Sequence, residues 1–187
     1  MMRTQRLLEQ LRAYVPADEA EAGHHGAMVK LLTSAENPFS RGHFGPGHFT
    51  ASLYILDEDG RLLLHHHRRL NRWLQMGGHV EAGESPERTA LREGAEESGL
   101  QDLQLHDGIF DLDVHRIPAG KGEPDHDHFD VRYLARTASP EAISIDAGES
   151  HDLAWVTLGR AAELMPGSES HRVIRKIESL LRERSQP

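Results

Sequence analysis

Apolar residues recur at helical spacing from the start of the chain. Leu7, Leu8, Leu11, Tyr14 and Val15 share one face, and Pro16 ends the run. A second helix is expected over 18–32, with Ala27, Met28, Leu31 and Leu32 as its buried side. The Gly- and Pro-dense stretch 37–47 then breaks the periodicity. The domain boundary is placed there, giving an N-terminal helical extension over 1–47 and a main domain over 48–187. From Thr50 the period becomes two, and 50–56 and 61–67 read as a hairpin about the turn 57–60. Phe129, Val131, Tyr133 and Ala135 alternate with Asp130, Arg132 and Arg136, which predicts a strand with one wet face. Shorter strands are expected at 143–145 and 153–156, and helices over 85–98 and 171–184. The last helix would bury Val173, Ile174, Ile177, Leu180 and Leu181. Strands interspersed with helices predict an α/β fold, a mixed β-sheet sandwiched between helices.

Composition narrows the function classes. A chain of 187 residues that is 37% hydrophobic and 27% charged can bury one core. Thirty acidic against 21 basic residues give a net charge of −9, which repels polymeric nucleic acid and anionic membranes at long range. A small anionic ligand stays compatible, because bound divalent cations reverse the local field. Cysteine is absent, which excludes disulfides, thiolate nucleophiles and Cys-based metal sites. No apolar run reaches the roughly 18–20 residues of a membrane span. Gln, Glu and Arg interrupt the N-terminal apolar residues, so no signal peptide is read there and a soluble cytoplasmic protein is expected.

The chemistry concentrates in the segment GHVEAGESPERTALREGAEESGL, 78–100. Ser85 and Pro86 suit the start of a helix and Gly99 its end. Between them Glu93, Glu96 and Glu97 stand at i, i+3 and i+4, so three carboxylates project from one face within a turn. Like charges at that spacing repel, an arrangement that makes sense around hard cations such as Mg²⁺. On these residues alone a solvated acidic face is the alternative. Glu84, in the preceding loop, is placed to pair with Arg92 and fix that loop to the helix.

The spacing runs Gly78, five residues, Glu84, seven residues, Arg92-Glu93, two residues, Glu96-Glu97, one residue, Gly99-Leu100. It resembles the Nudix box of the Nudix (MutT-like) hydrolases, GX5EX7REUXEEXGU, where U is a bulky apolar residue. Every charged and glycine position agrees. Gly94 departs, standing at a U position, and costs about 1 kcal/mol of helix stability relative to alanine. The resemblance implies the Nudix fold and a divalent-metal-dependent pyrophosphohydrolase that cleaves a nucleoside diphosphate linked to another moiety, using Mg²⁺ or Mn²⁺. By the same resemblance, metal-activated water attacks phosphorus. Glu93, Glu96 and Glu97 are then the metal ligands, with the Gly78 carbonyl a further candidate. Glu93 is also the first candidate to orient or deprotonate the water, and Arg92 and Glu84 complete the catalytic set as supports. Glu149, in a loop before the strand 153–156, is the candidate extra ligand or base.

Upstream, Arg61, Arg68, Arg69 and Arg72 form a basic strip without an acid between 61 and 73, suited to substrate phosphates. Arginines simply facing water are the alternative. Arg69 and His67 are taken as substrate contacts. Alternation sends His66 to the face opposite His65 and His67, which argues against a metal cluster there. The run HHHRRLNRWLQMGGHVEAGE resembles a Nudix subgroup with HHxRLxxWLQPGGHVE, Met76 standing at the proline. Trp73 is read as a buried anchor ahead of a base-stacking residue.

Downstream, His115, His126, His128 and Asp130 form a second polar cluster. His126 and His128 share a strand face and are taken as substrate contacts; with His115 they could also make a three-histidine zinc site. Substrate signatures that mark the ADP-ribose, dinucleoside polyphosphate and coenzyme A branches of the family are missing, so the substrate class stays open. The isopentenyl diphosphate isomerase branch needs a cysteine, and none is present. Two rivals remain: a Nudix-fold nucleotide sensor without catalysis, and a zinc protein built on the 14 histidines. A homodimer is also expected.

Overall fold

Pro16 and Asp18 divide the N-terminal apolar run into two helices, as the sequence predicts. The structure is a computed structural model that describes residues 2–120, 122–145, 148 and 150–184. Helix α1 (Met2–Ala13) is followed by α2 (Glu19–Ser34), β1 (Gly47–Leu56), β2 (Leu62–His67), β3 (Arg72–Leu74) and β4 (Met76–His79). Then come α3 (Pro86–Ser98), β5 (Gln104–Leu105), β6 (Asp111–Ile117), β7 (His126–Arg136), β8 (Ser150–Val156), α4 (Leu158–Leu164) and α5 (Ser168–Arg184). Among the described residues no helix is long and apolar enough to cross a membrane.

The chain divides into two compact units, through which β1, α3 and β7 each run. The first takes the described parts of Met1–Leu53, Gly77–Glu93 and His106–Tyr133. In it β4 pairs with β1, and β6 pairs antiparallel with β7, placing Asp113 opposite Asp130 and His115 opposite His128. Phe49 contacts Phe39 and Phe129, with ring centroids 5.2 and 5.9 Å apart. Leu7, Leu11, Met28, Leu31 and Leu32 are buried, each worth about 1.5–3 kcal/mol relative to exposure.

Glu21 is the unexpected member of this core. It is fully buried on α2, and its carboxylate accepts from the amides of Ala17 (2.6 Å) and Leu112 (3.1 Å) and from the Tyr14 hydroxyl. Asp18 caps the helix by accepting from the Glu21 amide at 2.8 Å. Because α1 stops at Ala13, Val15 does not join its buried face and is 83% exposed.

The second unit takes Tyr54–Met76, Gly94–Leu105 and the described parts of Leu134–Pro187. There the strand order is β3-β2-β1-β7-β5, with β8 also on β2. The predicted hairpin forms, Ile55 facing Leu63 and Leu56 facing Leu62. Helix α5 buries Val173, Ile174 and Ile177, whereas Leu180 and Leu181 are half-buried. The strand expected at 143–145 is absent. A single turn at Pro140–Ala142 precedes it, and the Ser144 amide bonds the Ser98 carbonyl at 2.8 Å, ending α3 in place of a strand partner.

Strands β1 and β7 run parallel: the Asp127 amide bonds the Pro46 carbonyl and the Thr137 amide bonds Leu56, the same separation at both ends. With the antiparallel pairs this makes the sheet mixed, and helices flank it.

The wet face expected of β7 is buried at Asp130 and Arg132 and half-buried at Arg136. Asp130 and Arg132 are 2% and 5% exposed. Arg132 meets Asp130 at 3.0 Å, Asp113 at 2.9 Å and Asp111 at 3.4 Å, and Thr50 and Ser52 of β1 donate to Asp130. Ion pairing and hydrogen bonding let a polar face become interior, which alternation alone cannot reveal.

Candidate active site

Helix α3 begins as predicted: the Ser85 hydroxyl accepts from the Arg88 amide at 3.4 Å, and its carbonyl takes the Thr89 amide. It ends at Gly99, whose φ of +79° is the left-handed conformation glycine adopts without penalty. Glu93, Glu96 and Glu97 therefore share one helical face, and Glu97 is only 4% exposed.

Arg92 organises the surroundings of Glu93. Its Nε lies 3.2 Å from the Glu84 carboxylate, Nη2 donates to Glu84 at 3.2 Å and to the His79 carbonyl at 3.3 Å, and Nη1 is 3.0 Å from Glu93 Oε1. Thr89 adds a hydroxyl donor to Glu84 at 2.8 Å. Burial would raise the Glu84 pKa, but the hydrogen bonds from Arg92 and Thr89 outweigh it and hold the carboxyl below its usual range. The pairing of Glu84 with Arg92 read from the sequence is thus present.

Gly78 lies directly against Glu93. A Cβ at this position would sit 2.5 Å from the Glu93 carboxyl carbon, so the residue must be glycine for the carboxylate to lie along the β4 backbone. Three carboxylates on one turn offer hard oxygen donors, the kind that a divalent cation such as Mg²⁺ or Mn²⁺ prefers. Glu149 lies outside the described residues.

The upstream strip is less uniform than expected. Arg61 is paired with Asp57 at 2.6 Å and faces Asp59 at 3.6 Å, so it is neutralised by the turn before it. Nδ1 of His67 accepts the amides of Arg69 (3.1 Å) and Leu70 (3.4 Å), closing the turn that leaves Arg69 exposed. Asn71 completes that turn at φ +51°. Trp73 is half-buried and lies against His66, ring centroids 5.3 Å apart. His65 is buried and bonds Ser150 at 2.8 Å; burial, then its histidine neighbours, lowers its pKa to about 4.

His126 and His128 do share a face, 5.2 Å apart, but the third ring beside them is His48, 5.0 Å from each. His115 turns instead to Asp113, its Nδ1 2.8 Å from the carboxylate. His79 closes the group, 5.2 Å from His48 and 5.1 Å from His128. Burial, reinforced by neighbouring histidines, lowers the pKa of His79 to about 4 and of His128 to about 2, and lowers that of His48. His48 and His79 were not singled out from the sequence. Their place depends on how β1 and β4 lie with β7, although the alternation His48, Thr50, Ser52 was a local signal. In the second unit a cleft of about 330 Å³, lined by Asp57, Arg136 and Arg184 among others, holds none of the expected site residues.

The sequence profile of the NUDIX domain matches residues 46–176. A curated protein of Lactococcus lactis subsp. cremoris named "Probable DHNTP pyrophosphohydrolase" is 32% identical over 141 residues, 73% of this chain and 81% of that one. Among solved structures, an Ap4A hydrolase of C. elegans in a binary complex superposes with a TM-score of 0.60 at 23% identity, covering 72% of this chain and 98% of that one. A NUDIX-family hydrolase from Clostridium perfringens gives a TM-score of 0.52 at 29% identity, covering 71% and 97%.

Proposed function

The chain belongs to the Nudix hydrolase family, and from that premise we propose that it is a divalent-metal-dependent pyrophosphohydrolase whose chemistry is carried by α3. Its substrate is a small nucleoside-diphosphate derivative or a pterin triphosphate of the kind named for the Lactococcus relative. It would act in the cytoplasm, with residues 48–187 as the hydrolase domain. The observation that carries this reading is the placement of Glu93, which Arg92 holds on one side and Gly78 accommodates on the other.

Glu93, Glu96, Glu97 and the Gly78 carbonyl would hold Mg²⁺ or Mn²⁺, which when bound neutralises the diphosphate and lowers the pKa of water. Arg92 orients Glu93 by engaging Oε1, and the Glu93 carboxylate is assigned to take the proton of the attacking water. That water adds its oxygen to one phosphorus, the bridging P–O bond breaks, and two phosphate-bearing products leave. Glu84 keeps Arg92 in place and the β4 loop on the helix. Arg69 and His67 are the residues assigned to substrate phosphates, and Glu149 the additional ligand or base.

Hydrolysis of dihydroneopterin triphosphate, dinucleoside polyphosphates, nucleotide sugars and nucleoside triphosphates in H₂¹⁸O tests this. One ¹⁸O in a phosphate product with Mg²⁺ or Mn²⁺ is expected. Binding of a nucleotide without any turnover would favour the sensor reading instead.

A further inference from the structure

We propose that His48, His126 and His128 hold a zinc ion through three imidazole nitrogens, in a site that shares no ligand with the carboxylates of α3. One ligand nitrogen from each lies within 4.8 Å of the others. Tetrahedral Zn–N bonds of about 2.0–2.1 Å put their nitrogens roughly 3.3 Å apart, so small ring rotations close the site.

Two features go beyond proximity. His48 Nδ1 faces the His43 carbonyl at 3.2 Å and His126 Nδ1 the Pro124 carbonyl at 2.8 Å. Each carbonyl accepts an N–H, which fixes the tautomer and puts the lone pair at Nε2, the way the second ring nitrogen of metal-binding histidines is held. His48 is also 1% exposed, and its buried Nε2 has no hydrogen-bond partner among the described residues. A buried acceptor left in that state is destabilising, a cost that coordination would offset.

The surrounding charge favours a cation. On the same strands as His126 and His128, the polar layer of β6 and β7 carries Asp111, Asp113, Asp130 and Arg132, a formal −2 with histidines neutral. Imidazole ligands select zinc over Mg²⁺, so the two metal sets are chemically distinct. Three protein ligands leave the fourth position open, beside His79.

The test is a Co²⁺ titration of tag-free, chelator-stripped full-length protein in excess Mg²⁺, read by its ligand-field absorption. It needs no turnover, so it stands or falls separately from the hydrolase reading. One equivalent giving a tetrahedral spectrum, displaced by one equivalent of Zn²⁺, is expected. His48→Gln and His126→Gln should each weaken binding about 100-fold or more, since losing even a second-shell partner costs roughly 10–100-fold. Glu97→Gln and His115→Gln should bind as wild type. Absence of the tetrahedral spectrum from wild type, its survival in a folded His48→Gln protein, or its loss in His115→Gln overturns the proposal.

Discussion

The Gly78 backbone and the Glu93 carboxylate are in contact, close enough that a methyl group on Gly78 would sit 2.5 Å from the Glu93 carboxyl carbon. The clashing atoms are the end of a flexible side chain, which moves cheaply. Gly78→Ala should therefore leave the melting temperature within a few degrees while displacing Glu93. A displacement of about 1 Å at a reacting group costs on the order of 10²-fold in rate. The neighbouring Gly77 provides the contrast: a Cβ there would lie 2.9 Å from the Ala51 carbonyl oxygen and the Ser52 Cα, which are backbone. Gly77→Ala should destabilise by about 1–3 kcal/mol in urea unfolding. Equal kcat for Gly78→Ala and wild type would sink this account of Gly78.

Arg132 lies within 3.4 Å of three buried carboxylates, Asp111, Asp113 and Asp130. Arg132→Met keeps much of the volume but leaves those charges without their guanidinium, and should cost about 3–5 kcal/mol. Chemical denaturation measures it. A loss below about 1 kcal/mol would mean that the Asp cluster is balanced by other groups.

His65 is 1% exposed, and its pKa is lowered to about 4 from the ordinary 6.5. Between those values the unfolded chain binds a proton that the folded one refuses, so stability falls as pH drops from about 6.5 and levels off near 4. One such proton contributes about 1.4 kcal/mol per pH unit. His65→Asn keeps a polar group near Ser150 and removes the titration. It should flatten the acid limb by about one proton, even if the variant is less stable at pH 8. An unchanged slope in calorimetry between pH 6.5 and 4 would place the proton uptake elsewhere.

The two N-terminal helices are part of the first unit's core. Leu7, Leu11, Met28, Leu31 and Leu32 are nearly inaccessible, and Glu21 ties the Leu112 amide of β6 to α2. At about 1.5–3 kcal/mol for each apolar side chain, their loss rivals the roughly 5–15 kcal/mol stability of a whole domain. A chain beginning at residue 48 should fail to fold cooperatively by circular dichroism. A sharp transition near the full-length melting temperature would show that the helices are dispensable.

Much of this was legible in the sequence, for local reasons. Ser85, Pro86 and Gly99 bounded α3, and its 3.6-residue period put Glu93, Glu96 and Glu97 on one face. Asp57 and Gly60 marked the β1–β2 turn. What local pattern could not carry was pairing. Asp130 and Arg132 look like solvated residues until β6 brings Asp111 and Asp113 opposite them. His48, some eighty residues from His126 and His128, joins them only through the parallel register of β1 and β7, while His115 is drawn off by Asp113. The apolar 143–145 failed as a strand because Ser144 was already bonded to the end of α3.

The central claim is that the carboxylate face of α3 makes this chain a metal-dependent pyrophosphohydrolase. Its most direct test is steady-state hydrolysis of the best substrate from the panel by wild type and Glu97→Gln, after chelation and with Mg²⁺ or Mn²⁺ restored. The account predicts turnover that requires the cation and falls roughly 10²–10³-fold in Glu97→Gln, the scale of losing one contact made in the transition state, with circular dichroism unchanged. Turnover that persists without the cation, or a Glu97→Gln enzyme as fast as wild type, would contradict it.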